Sequence, residues 1–125
     1  MAEVQAMGAN QALGAAGEDL AAAFLEQHGM AVLERNWRCA RGELDIVAED
    51  AGQVVGVEVK TRAGLGYGHP AEAVGPRKLV RLCVLTRIWC REKGRDGERA
   101  RIDVVAIVLP PRGRPLIEHY RAVQP

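Results

Sequence analysis

Apolar residues recur at helical spacing from Leu13 to His28, through Leu13, Ala16, Leu20, Ala23 and Phe24, and Gly29 stands where such a helix would stop. The spacing predicts a first helix. Residues 1–12 are small and polar with no sustained period, so a flexible N-terminal tail is expected ahead of a single domain over 13–125. The period then shortens. Met30, Val32 and Leu33 mark a strand ending at Trp37, and Arg41-Gly42 marks a turn. Glu43 to Glu49 and Gln53 to Lys60 alternate with period two about Ala51-Gly52, which suits a two-residue hairpin loop. Thr61 to Pro76, glycine-rich and with two prolines, is expected to be a loop that follows the third strand directly. Pro76 suits the first turn of a second helix running to about Lys93, with Leu79, Leu82, Cys83, Trp89 and Cys90 on its core-facing stripe. Ala100 to Leu109 reads as a buried strand and Leu116 to Val123 as a short edge strand. The order α-β-β-β-α-β-β predicts an α/β fold, a mixed central sheet flanked by helices.

Composition narrows the function classes. The chain has 125 residues, 48% hydrophobic and 26% charged, enough for one ordinary core. Nothing approaches the run of about 18 apolar residues that a membrane-spanning helix needs. The start, MAEVQAMGAN, lacks the basic and apolar regions of a signal peptide, so a cytoplasmic protein with no membrane partner is expected. Cys39, Cys83 and Cys90 form no C-x-x-C pair, which argues against a disulfide framework or a zinc knuckle. The net charge of +1 conceals a division. Residues 1–58 carry ten acids against Arg35, Arg38 and Arg41, whereas residues 59–125 carry fourteen Lys or Arg against six acids. Acids that hold cations beside bases that hold a phosphate backbone are what a phosphodiester enzyme requires, although an ordinary solvated surface also satisfies the count.

Alternation along the strands gives the acids positions. Glu43 and Asp45 share a face while Leu44 and Ile46 point to the core; on the next strand Val55, Val57 and Val59 face inward and leave Glu58 and Lys60 side by side. A two-residue loop at Ala51-Gly52 pairs Asp50 with Gln53, and counting back sets Asp45 opposite Glu58 and Glu43 opposite Lys60. Facing carboxylates repel by roughly 0.2 to 1 kcal/mol unless something neutralises them. A divalent cation would do so. Oxygen donors without histidine or thiol select Mg²⁺ or Mn²⁺ over zinc, and Lys60 would then serve the reaction by orienting water or stabilising the phosphate. A solvated salt ladder of Glu43, Glu58 and Lys60 would leave the same spacing.

These residues resemble the PD-(D/E)xK, or restriction-endonuclease-like, nuclease superfamily and more closely the uncharacterised YraN-like bacterial family. The resemblance runs from about Gly14 to Val123. It is carried by G-E-D-L-A-A at Gly17 to Ala22, R-N-W-R at Arg35 to Arg38, G-E-L-D-I-V at Gly42 to Val47 and V-E-V-K-T-R at Val57 to Arg62, with Gly68, Pro70 and Lys78. It implies a restriction-endonuclease-like fold related to archaeal Holliday-junction resolvases, with Glu18 joining Asp45 and Glu58 around the metal and Lys60 as the catalytic lysine. The motif's proline is replaced here by Leu44.

Arg35, Arg38, Arg62, Arg77, Lys78 and Arg81 are the candidate nucleic-acid contacts, DNA being favoured over RNA. His28, His69 and His119 read as isolated. Gly64, Gly66 and Gly68 lack the spacing of a dinucleotide fingerprint. Three functions fit the sequence: a metal-dependent nuclease on branched or partly single-stranded DNA, with a homodimer as in resolvases; a nucleic-acid-binding accessory protein without turnover; and a structural partner-binding domain.

Overall fold

The computed structural model describes residues 9–64 and 74–125. Its elements are α1 (Ala9–Gln27), β1 (Ala31–Cys39), β2 (Gly42–Asp50), β3 (Gln53–Arg62), α2 (Pro76–Lys93), β4 (Arg101–Val108) and β5 (Leu116–Tyr120), in the expected order. The strands form one mixed sheet in sequence order, antiparallel at every junction except β3–β4. A parallel pair needs a crossover, and α2 supplies it.

Each helix covers one face. Ala21, Ala22 and Leu25 of α1 pack with Ile46, Ala48, Val55, Val57, Val105 and Ile107, and on the other face Leu79, Leu82, Leu85 and Trp89 of α2 pack with Trp37, Leu44, Val47, Val54 and Ile102. Two glycines set how closely the helices approach. A Cβ on Gly17 would lie 1.9 Å from Thr61 Oγ1, and one on Gly56 would lie 2.2 Å from Thr86 Oγ1. Glycine in a helix interior costs about 1 kcal/mol relative to alanine, so α1 gives up local stability to press against the end of β3.

Several boundaries differ from the pattern reading. Helix α1 begins at Ala9, inside the stretch expected to be a tail; residues 1–8 lie outside the described residues. Its buried face is Ala21, Ala22 and Leu25, while Ala16 and Ala23 are exposed, because alanines contribute too little apolar contrast to fix the phase of a helix. Thr61 and Arg62 belong to β3, since pairing with Ile107 and Val108 of β4 continues past Lys60. On α2, Leu85 and Thr86 join the buried stripe and Cys83 is only half-buried. β5 ends at Tyr120, although the chain remains tied by the Val123 amide donating to the Ile102 carbonyl at 2.8 Å. The loop positions Gly66, Gly68, His69 and Pro70 lie outside the described residues.

The β2–β3 hairpin has the expected two-residue turn, with Asp50 paired to Gln53 and positive φ at both Ala51 (50°) and Gly52 (86°), as a type I′ turn requires. Strict alternation fails on β2. Leu44 and Ile46 are both fully buried, yet Leu44 packs in the α2 layer and Ile46 in the α1 layer. The change of face falls at Asp45. Across from it the β1–β2 ladder skips from Arg35↔Ile46 to Trp37↔Leu44, and the skipped residue, Asn36, has φ 53°.

Candidate functional site

The paired ladder between β2 and β3 ends at Ile46↔Val57, so continuing the register by one residue brings Asp45 to Glu58. At that step a side chain replaces the backbone bond: the Val59 amide donates to Asp45 Oδ2 at 2.9 Å. Glu58 is buried among the charged residues of this end of the sheet, only 6% exposed. Burial, and then the hydrogen bond and charge of Glu58, push the Asp45 carboxyl up to about 8, with Glu18 adding to the repulsion. Burial opposes ionisation of Glu58 as well, but the hydrogen bond from Asp45 and the Lys78 ammonium hold its carboxyl below the ordinary range. Of the two acids, Glu58 carries the charge and Asp45 holds the proton at neutral pH.

Two lysines surround the pair. Lys78 Nζ lies 2.5 Å from Glu58 Oε2. This ammonium is the charged partner of that buried oxygen. Lys78 is raised in pKa: burial works against its charge, and Glu58 more than offsets it. Lys60 is lowered, by burial and by its neighbour Lys78. Lys78, expected on a nucleic-acid surface, therefore sits inside the acidic cluster. The one sequence signal was Pro76 at the helix start, which puts Lys78 in the first turn of α2, where a cation opposes the helix dipole unless an anion faces it.

Asp45 and Lys60 stand between two cavities. One, of about 610 Å³, is lined by Leu13, Gly14 and Glu18 of α1 and by Thr61 and Arg62 of β3. The other, of about 340 Å³, is lined by Glu43, Glu58, Lys78 and Arg81. Glu18 reaches the first cavity because Gly17, its neighbour, lets α1 lie against Thr61. Arg62 Nε, in the wall of the same cavity, is buried with no hydrogen-bond partner among the described residues.

The cluster fits a hard divalent cation in its donor chemistry: two carboxyls in contact beside open cavities, with no histidine or thiol donor among them. Among the described residues, no three acids, histidines or cysteines converge to ligating distance, so Glu18 faces the pair across the cavity without closing a triad.

The remaining candidates separate by partner. Arg35 Nη2 pairs with Asp19 at 2.7 Å and Arg38 Nε with Glu43 at 3.0 Å, so both have carboxylate partners within the chain. Arg77 and Arg81 are exposed and have no ion pair among the described residues. The histidines are less isolated than they read. His28 Nδ1 contacts the Phe24 carbonyl at 2.8 Å and its ring stacks on Phe24; His119 Nε2 lies 2.8 Å from Asp103, away from the acidic cluster. Nothing in the sequence tied His119 to Asp103, because antiparallel β4–β5 pairing alone brings them together.

A family model described as "Uncharacterised protein family UPF0102" matches residues 17–107. A UPF0102 protein of Streptomyces griseus is 52% identical over 118 residues, 94% of this chain and 99% of the relative. One of Rhodococcus jostii is 51% identical over 115 residues, covering 92% and 98%. One of Pseudarthrobacter chlorophenolicus is 50% identical over 117 residues, covering 94% and 89%. The matched span contains Glu18, Asp45, Glu58, Lys60 and Lys78.

Proposed function

The chain belongs to the uncharacterised family UPF0102, and for this member we propose a metal-dependent nuclease of PD-(D/E)xK type that hydrolyses phosphodiester bonds of DNA with a branched, flapped or single-stranded feature. The observation that carries the reading is the contact between Asp45 and Glu58, with Lys60 beside them at the edge of two open cavities. Two buried carboxyls in contact ionise together only at a cost, and a bound cation would offset that cost.

Mg²⁺ or Mn²⁺, held by Asp45 and Glu58 with Glu18 facing them across the cavity, would supply positive charge and acidify a water. The chain's own residues do the rest. Glu58 is already ionised, and Asp45 would give up its proton to serve as a ligand. Lys60, on the same strand as Glu58, offers an ammonium to the charge that accumulates on the phosphoryl oxygens. In the net reaction a water oxygen bonds to phosphorus, the bond to the leaving sugar oxygen breaks, and a water proton is released as that oxygen is protonated. Arg62, Arg77 and Arg81 are the DNA contacts of this reading, since Arg35 and Arg38 already have acidic partners.

A second reading, binding of nucleic acid without turnover, is favoured by the Lys78–Glu58 ion pair, which already neutralises one ligand. Cleavage of duplex, single-stranded, flapped and four-way DNA with Mn²⁺ separates the two, alongside Mn²⁺ calorimetry. Lys60→Met should lower cleavage at least about 100-fold, in the range seen when a transition-state stabiliser is removed, while Mn²⁺ affinity changes little. Intact Mn²⁺ binding by a wild type that cuts none of the substrates would establish the second reading, and loss of Mn²⁺ binding in the variant would show that Lys60 maintains the metal site.

No helix of the described residues is long and apolar enough to cross a membrane.

A further inference from the structure

We propose that the outer face of α2, with Arg41 of the β1–β2 turn, is a track for the nucleic-acid backbone leading away from the acidic cluster; the proposal rests on the nucleic-acid reading above but not on hydrolysis. Of the seventeen Lys and Arg side chains, eight make ion pairs with acids among the described residues: Arg35, Arg38, Lys78, Lys93, Arg95, Arg99, Arg101 and Arg121. Arg41, Arg77, Arg81, Arg87 and Arg91 make none among the described residues, and all five are exposed. Four of them lie on one helix, whose first turn holds Arg77 and Lys78 and no acid. Cations there oppose the helix dipole, so the arrangement carries a cost that a bound polyanion would relieve.

The unpaired arginines are continuous with the site. Arg81 lines both the acidic cavity and a neighbouring cleft of about 290 Å³ that also contains Arg41, Arg77 and the half-exposed Val80. Farther along, Arg87 and Arg91 line a hollow with Arg95 and Glu98 at the other end of the helix. Arg77 to Arg91 spans about 21 Å at 1.5 Å per residue, which is roughly six nucleotides of a duplex strand at 3.4 Å each. A row of guanidinium groups of that length matches a repeating phosphate chain.

The test is DNA affinity in chelator, measured against salt, for wild type, Arg87→Ala/Arg91→Ala and, as an equal charge change elsewhere, Arg112→Ala/Arg114→Ala in the exposed β4–β5 connection. Removing two phosphate contacts should reduce the slope of log affinity against log salt by about 1 to 2 and weaken binding at least about tenfold at low salt; the control pair should leave the slope unchanged. Thermal melts verify that the alanine variants fold. An unchanged slope in Arg87→Ala/Arg91→Ala, or an equal loss in the control, would overturn the track. Displacement of DNA by poly-glutamate at equal charge would overturn it in favour of an acidic protein partner. A wild type that binds with the expected slope yet cuts nothing when Mn²⁺ is added would support the track and remove only the hydrolase reading.

Discussion

Two buried aspartates in one sheet illustrate opposite uses of a carboxylate. Asp103, at 0% exposure on β4, accepts hydrogen bonds from Arg101 Nε (3.0 Å), Arg101 Nη2 (3.1 Å) and the Ala122 amide (2.9 Å), and its Oδ2 lies 2.8 Å from His119 Nε2. Burial alone would raise its pKa, but these partners hold it down to about 2. Asp45 has one backbone donor, and its nearest charged neighbour is another carboxylate, so the same burial raises it to about 8. Partner set, and not depth, separates the two. The Asp103 cluster ties β4 to β5 and to the chain beyond, and Arg101 extends it to Asp50 at 2.9 Å. The Asp45 cluster links β2 to β3 through the Val59 amide and α2 to β3 through Lys78, and it opens onto two cavities. A buried charge met by cations and amides marks structure, whereas a carboxyl pressed against another beside an open cleft is the feature on which the metal-site proposal rests.

The comparison breaks most severely at Asp103. Asp103→Asn leaves Arg101 and His119 facing a neutral group, and removing one member of a buried ionic network costs roughly 3 to 5 kcal/mol. The same group governs acid stability. Its folded pKa lies below the ordinary 3.8, so its stabilisation is complete above that value and is lost as pH falls toward about 2. That gap corresponds to roughly 2 kcal/mol. Denaturant melts from pH 5 to pH 2 should therefore show the wild type converging on the variant. Parallel curves would mean that Asp103 is not the titrating group.

A smaller effect of opposite sign is expected at Asp45. A carboxyl whose folded pKa is raised costs nothing below 3.8 and increasingly destabilises as pH rises toward about 8. Asn in its place resembles the protonated acid, accepting from Val59 and donating to Glu58. In chelator at neutral pH, Asp45→Asn should be more stable than wild type by roughly 1 to 3 kcal/mol, with the advantage vanishing near pH 4. Adding Mn²⁺ should reverse the order, because only the wild type keeps both ligands. A variant less stable than wild type in chelator at neutral pH would make Asp45 a structural residue like Asp103.

The smallest effect concerns the hairpin that brings Asp45 to Glu58. Ala51 carries φ 50°, a conformation that asparagine tolerates far better than alanine. Ala51→Asn should stabilise the protein by roughly 0.5 to 1 kcal/mol without altering Mn²⁺ affinity. A loss of stability would show that the turn is not of the I′ form, and a change in metal affinity would show that the hairpin register itself is under tension.

Much of this molecule was legible without coordinates. The element order follows from the change of hydrophobic period, and the approach of Asp45 to Glu58 follows from two turn residues and counting, because strand pairing across a tight hairpin is a local constraint. The E-x-K spacing on β3 likewise needs no tertiary information to put Glu58 and Lys60 on one face. What the sequence could not decide is everything that depends on an element arriving from elsewhere. Lys78 reaches Glu58 only because α2 crosses the sheet at Gly56, and Glu18 reaches the cavity only because Gly17 meets Thr61. The partition of basic residues into paired and unpaired also depends on such arrivals, as does the change of face at Asp45, which period-two alternation cannot represent. Local spacing determines which side chains share a face; which charges neutralise one another is decided by contacts between segments far apart in sequence, and only the packed fold makes those contacts.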